Sequence, residues 1–186
     1  LENPIKSDNP VITSRTVETL FVNNGSLFVG TTTGMLVYNL SNPASPNYLS
    51  SFQHATACDP VVVDNGIAYI TTRSGNTCGG FQDQLDIVDV TDLTSPKWLQ
   101  DYQLTGPYGL GIRDDVLFIC DGDDGLKVYD ATYTTELSMV AHYKDINAYD
   151  VIPLDGLLLM IGSDGFYQYD YTDISDLKLL SKILID

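Results

Sequence analysis

The chain has 186 residues, of which 25 are acidic and 9 basic, and its net charge is -16 at pH 7. A surface this acidic repels nucleic-acid phosphates and anionic lipids, so we expect neither as a partner. Hydrophobic residues make up 44% of the chain, a globular composition, and no apolar run approaches the roughly 20 residues that a membrane span needs.

Four segments of the chain repeat one pattern of strands and turns. Each copy runs from a β-branched stretch through a turn, such as Asn24-Gly25 or Asn65-Gly66, into a second apolar stretch and then a third. Short β-branched and aromatic runs between such turns are typical of antiparallel strands. The third run of each copy reads "MLVYNL" (35–40), "LDIVDV" (85–90), "LKVYDA" (126–131) and "FYQYDY" (166–171).

A four-stranded antiparallel unit of about 40 residues, repeated along a chain, predicts the blades of a β-propeller. One sheet has two faces to bury, so blades stack around a common axis. We therefore predict an all-β propeller array with about four blades in this chain. The predicted divisions are an orphan strand at 1–15 and blades at 16–53, 54–104, 105–145 and 146–186.

The segments "LDIVDVTDLTSP" (85–96) and "FICDGDDGLKVYDA" (118–131) resemble the LVIVD-type repeat of bacterial and archaeal propellers. The first copy departs from that pattern at Asn39, where the family has Asp, and the fourth departs at Asp176-Leu177. The resemblance implies an exported protein, so we expect an extracellular, cell-surface or periplasmic location. The family motif is structural, and the resemblance implies no reaction.

The third run carries a carboxylate or an amide at the same position in every copy: Asn39, Asp89, Asp130 and Asp170. A side chain placed just before a turn can accept hydrogen bonds from N–H groups of that turn. Because the residue recurs in all copies, and an active site is usually asymmetric, we predict a structural role rather than a catalytic one.

The N-terminus resembles the connection between the last two strands of a blade. "LENPIKSDNPVITS" (1–14) is similar to "LSNPASPNYLSS" (40–51), so residues 1–15 are predicted to end in a strand without its own blade. The simplest account is that the chain is the C-terminal part of a larger propeller. A lipid anchor on the missing part and self-association that covers open blade faces are further expectations; a closed four-bladed ring is the alternative.

Two of the three cysteines are predicted to form a disulfide. Cys58 lies just before the first strand of the second blade, and Cys78 lies in a long insertion between that blade's second and third strands. In an antiparallel meander both connections lie on one face of the propeller. The bridge would stabilise the fold by roughly 3 kcal/mol and suits an oxidising compartment. Two free thiols are the alternative, and Cys120 is predicted to be a buried apolar residue.

The turn "DGDDG" (121–125) has oxygen donors at alternate positions, so Asp121 and Asp123 are candidate metal ligands. The turn lacks the downstream bidentate glutamate of a calcium loop, and a solvated hairpin turn is the preferred interpretation. His142 aligns with outer-strand residues and is predicted to be exposed. We therefore assign no metal site, no catalytic residue and no cofactor.

A column of polar and aromatic residues is predicted to surround the mouth of the propeller channel, where the innermost strands begin. Aromatic and carboxylate groups around a concave mouth suit the binding of a sugar, a peptide or a cation. Ordinary packing at the start of the strands is the alternative. The candidate ligand-binding residues are Glu18, Asp59, Tyr108, Tyr149 and Asp150.

Two functions follow from this pattern. The first is a non-enzymatic surface or secreted module, a scaffold or a binder of a protein or carbohydrate ligand. It is favoured because the motifs recur in all copies and no unique catalytic set stands out. The alternative is a metal-assisted hydrolase or lyase that uses carboxylates at the channel mouth.

Overall fold

The computed structural model describes residues 16–53, 60–75 and 81–185. These residues form sixteen strands, arranged as four antiparallel four-stranded sheets in a four-bladed β-propeller. The predicted all-β propeller fold is therefore confirmed. None of the described residues belongs to a helix long and apolar enough to cross a bilayer. The orphan strand predicted at 1–15 and the predicted disulfide between Cys58 and Cys78 lie outside the described residues.

Each blade is a meander whose strands follow one another outward from the axis. The strands are β1 (Val17–Asn23), β2 (Ser26–Thr31), β3 (Gly34–Asn39) and β4 (Asn47–Gln53) in blade 1; β5 (Val61–Asp64), β6 (Ile67–Thr72), β7 (Gln84–Asp89) and β8 (Lys97–Gln103) in blade 2; β9 (Leu110–Arg113), β10 (Val116–Cys120), β11 (Leu126–Asp130) and β12 (Ser138–Tyr143) in blade 3; and β13 (Ala148–Pro153), β14 (Leu157–Gly162), β15 (Gly165–Asp170) and β16 (Lys178–Leu184) in blade 4.

Adjacent blades pack face to face through apolar cores. Phe28 and Val37 of blade 1 pack with Ile70 of blade 2, and Phe118 of blade 3 packs with Met160 of blade 4. Since alternate residues of a strand point to opposite faces of the sheet, each central strand supplies both of its neighbouring cores. The innermost strands contact one another in the order β1, β5, β9, β13, and they define the axis.

The recurring carboxylate of the third strand caps the turn that follows it, as predicted. The backbone N–H two residues further on donates to the side-chain oxygen of Asn39 at 2.7 Å, of Asp89 at 2.8 Å, of Asp130 at 2.9 Å and of Asp170 at 2.8 Å. Hydrogen bonds from the hydroxyl and the N–H of Thr91 lower the pKa of Asp89. The side chain thus replaces a backbone acceptor in each blade.

The turns between the first and second strands use left-handed backbone conformations. Asn24 and Gly25 have φ of 45° and 73°, the pattern of a two-residue hairpin turn that matches the twist of its strands. In blade 3 the same positions are Asp114 and Asp115, with φ of 50° and 60°. Blade 3 therefore holds two side-chain-bearing residues where glycine is favoured at the second position.

We expect Asp115→Gly to stabilise the protein by about 0.5 kcal/mol. Relief of the left-handed strain at this position exceeds the added entropy of glycine in the unfolded chain. Denaturant unfolding of the variant and the wild type measures the difference.

The reverse exchange in blade 1 is the matched control. A side chain at Gly25 would meet no atom within 4 Å, so Gly25→Asp tests the backbone conformation alone. We expect it to destabilise the protein by about 0.5–1 kcal/mol. Unchanged stability in both variants would show that the left-handed conformation of these turns does not affect the free energy of unfolding.

Candidate functional site

A cavity of about 640 Å³ lies among the four innermost strands. Its apolar wall includes Val62 of β5, Ile112 of β9 and Ile152 of β13. Its polar groups include Glu18 near the start of β1 and Asp150 near the start of β13. Because each blade begins at the axis, one strand from every blade contributes to this single axial cavity.

Two glycines of the third blade allow β13 to approach β9 closely. A Cβ atom at Gly109 would lie 1.9 Å from Oδ1 of Asp150, and a Cβ atom at Gly111 would lie 2.4 Å from Cδ of Pro153. The N–H of Gly109 also donates to the carbonyl oxygen of Tyr149 at 2.8 Å. The absence of a side chain at Gly109, just before β9, therefore leaves the space that Asp150 occupies.

Asp150 is accessible from the cavity, yet the protein around it removes part of its hydration. This desolvation raises the pKa of Asp150 above the usual value for aspartate, although the N–H of Val151 donates to Oδ1 at 2.9 Å and acts in the opposite direction. A partly desolvated carboxylate interacts more strongly with a cation than one in bulk water does. The axial cavity thus offers a carboxylate beside an apolar wall.

Three side chains stack at the rim of the axial cavity. The rings of Tyr108 and Tyr149 lie 5.1 Å apart between centroids, tilted by 44°. The guanidinium carbon of Arg73 lies 3.8 Å from the centroid of the Tyr108 ring, a cation–π arrangement. Thr71 holds the backbone here, since its hydroxyl donates to the carbonyl oxygen of Tyr108 at 2.7 Å.

The structure brings together most of the residues predicted for the channel mouth. Glu18, Tyr149 and Asp150 line the axial cavity. Tyr108 lies beside it and lines, with Glu18, a smaller cavity of about 140 Å³. Asp59 lies outside the described residues, so its predicted place at the mouth remains a prediction.

Sequence reasoning missed Arg73, although a signal for it exists. Arg73 is one of only 9 basic residues in the chain. It follows directly after a buried strand and precedes the turn at 74–75. A cation at this point of a strongly acidic chain indicates a specific partner, and here that partner is the face of Tyr108.

The candidate metal ligands Asp121 and Asp123 are held by other groups. Asp121 accepts hydrogen bonds from the N–H of Thr105 at 3.1 Å and of Gly106 at 2.7 Å, and Asp123 accepts one from Asn147. In the described part of the chain, no three His, Cys, Asp or Glu side chains form a group that could hold a metal ion. Asp121 therefore has the contacts of a structural residue.

Asp121 is fully buried, so the interpretation of this turn as solvated is wrong at that position. The reason is Lys127, at a position that holds Leu36, Asp86 and Tyr167 in the other blades. Its ammonium group contacts Asp121 and lies 2.8 Å from Asp124. Burial alone would lower the pKa of Lys127, but these hydrogen bonds outweigh it and raise the pKa.

His142 belongs to the same group of polar residues. Its Nε2 lies 2.6 Å from the carbonyl oxygen of Asp124, and its side chain is only 16% exposed. The predicted exposure of His142 is therefore wrong. The outer strand β12 pairs with β11 such that His142 stands opposite Lys127, next to the turn that carries Asp124.

We expect Lys127→Met to destabilise the protein by about 3–5 kcal/mol, because it leaves the Asp121 carboxylate buried without its counter-charge. Thermal or denaturant unfolding measures the loss. Addition of Asp121→Asn to Lys127→Met should restore most of the stability, since an amide carries no charge and its oxygen still accepts the N–H of Gly106. Equal losses of stability in Lys127→Met and in the double variant would contradict the role of Lys127 as the counter-charge of Asp121.

We expect Asp150→Asn to raise the unfolding temperature slightly at neutral pH. The raised pKa of Asp150 means that ionisation of this group disfavours the folded chain, so stability falls as the pH rises from the unfolded pKa through the folded pKa. The amide carries no such cost and can still accept the N–H of Val151. At acidic pH, where the carboxyl is neutral, the two proteins should unfold at the same temperature. A variant less stable than the wild type at neutral pH would contradict the desolvation of Asp150.

Comparison with known proteins adds structural neighbours. No protein-family model matches the chain, and no curated protein sequence matches it significantly. A protein from Lactobacillus plantarum has a TM-score of 0.77 at 12% identity, over 95% of this chain and 58% of its own. Apo AztD from Citrobacter koseri has a TM-score of 0.66 at 13% identity, over 90% of this chain and 48% of its own.

A computationally designed protein, Ika4, matches over its whole length. Its TM-score is 0.58 at 10% identity, over 99% of this chain and 100% of its own. The chain thus spans about half the length of the two natural neighbours and the full length of the designed one. At these identities the likeness shows the fold alone, and the fold is a β-propeller.

Proposed function

We propose that the chain is a non-enzymatic binding module and that the axial cavity is its ligand site. The observation that carries the proposal is the cavity of about 640 Å³ to which all four innermost strands contribute, with Tyr149 and Asp150 among its lining residues. A concave, mostly apolar site with a few fixed polar groups is the usual form of a ligand site. The resemblance to the LVIVD-type repeat supports placing this module on an exported or cell-surface protein.

The metal-assisted hydrolase or lyase receives no support from the described residues. Such an enzyme needs a cluster of metal-ligating side chains at the channel mouth, and residues 16–53, 60–75 and 81–185 contain no group of three His, Cys, Asp or Glu side chains that could hold a metal ion. The recurring carboxylates are engaged in turns. Asp121, a buried carboxylate in the turn between β10 and β11, is engaged by Lys127 and by backbone N–H groups.

The chemistry of the axial cavity favours a ligand with a cationic group and an apolar part. Asp150 supplies a partly desolvated carboxylate, Tyr149 supplies an aromatic ring, and Val62, Ile112 and Ile152 supply an apolar wall. The net charge of -16 attracts cations over longer distances. A basic segment of a protein partner combines these properties. A carbohydrate would leave its hydroxyl groups unpaired against the apolar wall.

The binding experiment uses short peptides that alternate lysine and leucine, with matched peptides that carry glutamate instead of lysine and a neutral oligosaccharide. We expect calorimetry to detect binding of the lysine peptide alone. Asp150→Asn should weaken that binding by about tenfold, as expected for the loss of a charged hydrogen-bond partner. Binding should also weaken as the pH falls through the raised pKa of Asp150, because the protonated carboxyl no longer attracts the cation.

Asp155→Asn is the matched control for charge. Asp155 is exposed at the other end of β13 and does not line the axial cavity, so its replacement removes the same charge outside the site. We expect Asp155→Asn to bind the lysine peptide as the wild type does. If Asp150→Asn and Asp155→Asn lose affinity equally, the peptide is held by the overall negative charge of the chain. That result would overturn the assignment of the axial cavity as the binding site. Binding of the oligosaccharide instead of the lysine peptide would overturn the proposal that the ligand is a basic peptide segment.

A further inference from the structure

A second cavity, of about 260 Å³, lies between the outer strands of blades 1 and 2. Its side chains come from β4 of blade 1, from β7 and β8 of blade 2, and from the residues that lead into β7. They include Phe52, Gln53, Gln82, Gln84, Asp86 and Trp98. None of these residues lines the axial cavity, so this space is a separate site, which we call the blade 1–2 cavity.

Gln84 departs from the repeat at this cavity. The other three blades have a glycine at its position, namely Gly34, Gly125 and Gly165. Their φ values are 133°, 91° and 156°, and a Cβ atom on each would lie within 2.2 Å of a backbone oxygen of the outer strand. Gln84 does not have a positive φ. Blade 2 therefore begins its third strand in a different conformation and carries an amide side chain at this point.

Asp86 is a second departure, and it explains why space is left between the two blades. At the same position blades 3 and 4 carry the longer side chains of Lys127 and Tyr167, and both are buried. Asp86 is itself only 2% exposed, and its Oδ1 accepts a hydrogen bond from Nε2 of Gln84 at 2.7 Å. The two residues that depart from the repeat thus form one hydrogen-bonded pair that lines the cavity.

Trp98 gives the cavity an aromatic wall. It is the single tryptophan of the chain, and it pairs with Val88 on the side of the sheet that packs on blade 1. Trp98 is 54% exposed, so its ring lines the cavity and is also open to solvent. From blade 1, Phe52 lines the same cavity and packs on the core between the two blades.

We propose that the blade 1–2 cavity binds a pyranose ring, either as a free sugar or as the end of a glycan. The apolar C–H face of a pyranose packs on an aromatic ring such as that of Trp98. Its hydroxyl groups both donate and accept hydrogen bonds, as glutamine amides do, and the Asp86 carboxylate accepts them. The described lining residues include one carboxylate and no basic side chain, which disfavours an anionic ligand.

The size of the cavity fits a single ring. Its volume is below the roughly 300–1,000 Å³ of pockets that hold drug-sized ligands. Because one ring makes few contacts, we expect a dissociation constant of about 1 mM. The blade 1–2 cavity therefore stays empty when ligands of the axial cavity are titrated at micromolar concentration. The inference does not depend on the proposed peptide ligand, since the two cavities share no lining residue.

The fluorescence of Trp98 reports on this cavity alone, because the chain has no other tryptophan. The titration uses methyl glycosides of glucose, galactose, mannose and N-acetylglucosamine, and trisaccharides that end in the same sugars, up to tens of millimolar. We expect at least one sugar to shift the emission to shorter wavelength and to saturate, because the ring displaces water from the indole. Binding of the glycoside but not of the trisaccharide identifies a free sugar, and binding of both identifies the end of a glycan.

Variants on each wall of the cavity test the assignment. Asp86→Asn should weaken binding by about tenfold, because it removes a charged acceptor, while its amide oxygen still accepts from Gln84. Gln84→Gly restores the residue of the other blades and should also weaken binding. Trp98→Ala should abolish it, as followed by NMR signals of the sugar. Gln100→Ala is the matched control and should bind as the wild type does, since Gln100 pairs with Ile87 on the side that packs on blade 3.

Two results would overturn the proposal. The first is a wild type that gives neither a fluorescence shift nor an NMR-detected interaction with any of these sugars. The second is a sugar response in Asp86→Asn and Gln84→Gly that equals the response of the wild type. Circular dichroism of each variant confirms that it is folded. If Asp86→Asn does not fold, Gln84→Gly decides the outcome, because three blades of the chain already have glycine at that position.

Discussion

The packing of one sheet face on another is the interaction on which this fold depends. A four-stranded blade buries its inner and outer strands only if both of its faces are covered, and the cores between blades do this for blades 2 and 3. Tyr69 lies fully within such a core. Its burial raises the pKa of its hydroxyl to about 12. The axis and its cavity follow from this stacking.

The fold could be predicted from the sequence because the residues that produce it recur from blade to blade. Strand lengths, turn dipeptides and the carboxylate before each turn recur in every copy, and each depends on contacts within a few residues. The stacking of Arg73 on Tyr108 joins two blades, and although Tyr108 recurs as Tyr149, Arg73 does not recur, so the repeat pattern alone does not place the two side chains together. The position of Asp150 against Gly109 likewise depends on how closely β13 approaches β9, which no local pattern encodes.

Blade 3 departs from the repeat at several positions. Two aspartates form its first turn, and Lys127 places a basic residue at a position that holds Leu36 in blade 1, Asp86 in blade 2 and Tyr167 in blade 4. The buried pair of Lys127 and Asp121 ties the connection at Thr105 and Gly106 to the turn between β10 and β11. This connection leads directly into Tyr108. The polar residues inside blade 3 thus hold in place the segment that carries Tyr108 to the rim of the axial cavity.

The turn after each third strand is satisfied partly by its own residues and partly by the preceding blade. Asp130 accepts from Thr132 and Asp170 accepts from Thr172. At the end of each turn, however, the N–H of Leu137 donates to the hydroxyl of Tyr102 at 2.9 Å, and the N–H of Leu177 donates to the hydroxyl of Tyr143 at 2.7 Å. A blade that is duplicated, deleted or exchanged by recombination therefore keeps this bond only where the blade before it supplies the tyrosine. The residues that limit such exchange are those on the blade faces. Changes in blade number among related genes should therefore leave the turn sequence and this tyrosine nearly constant while the other face residues diverge.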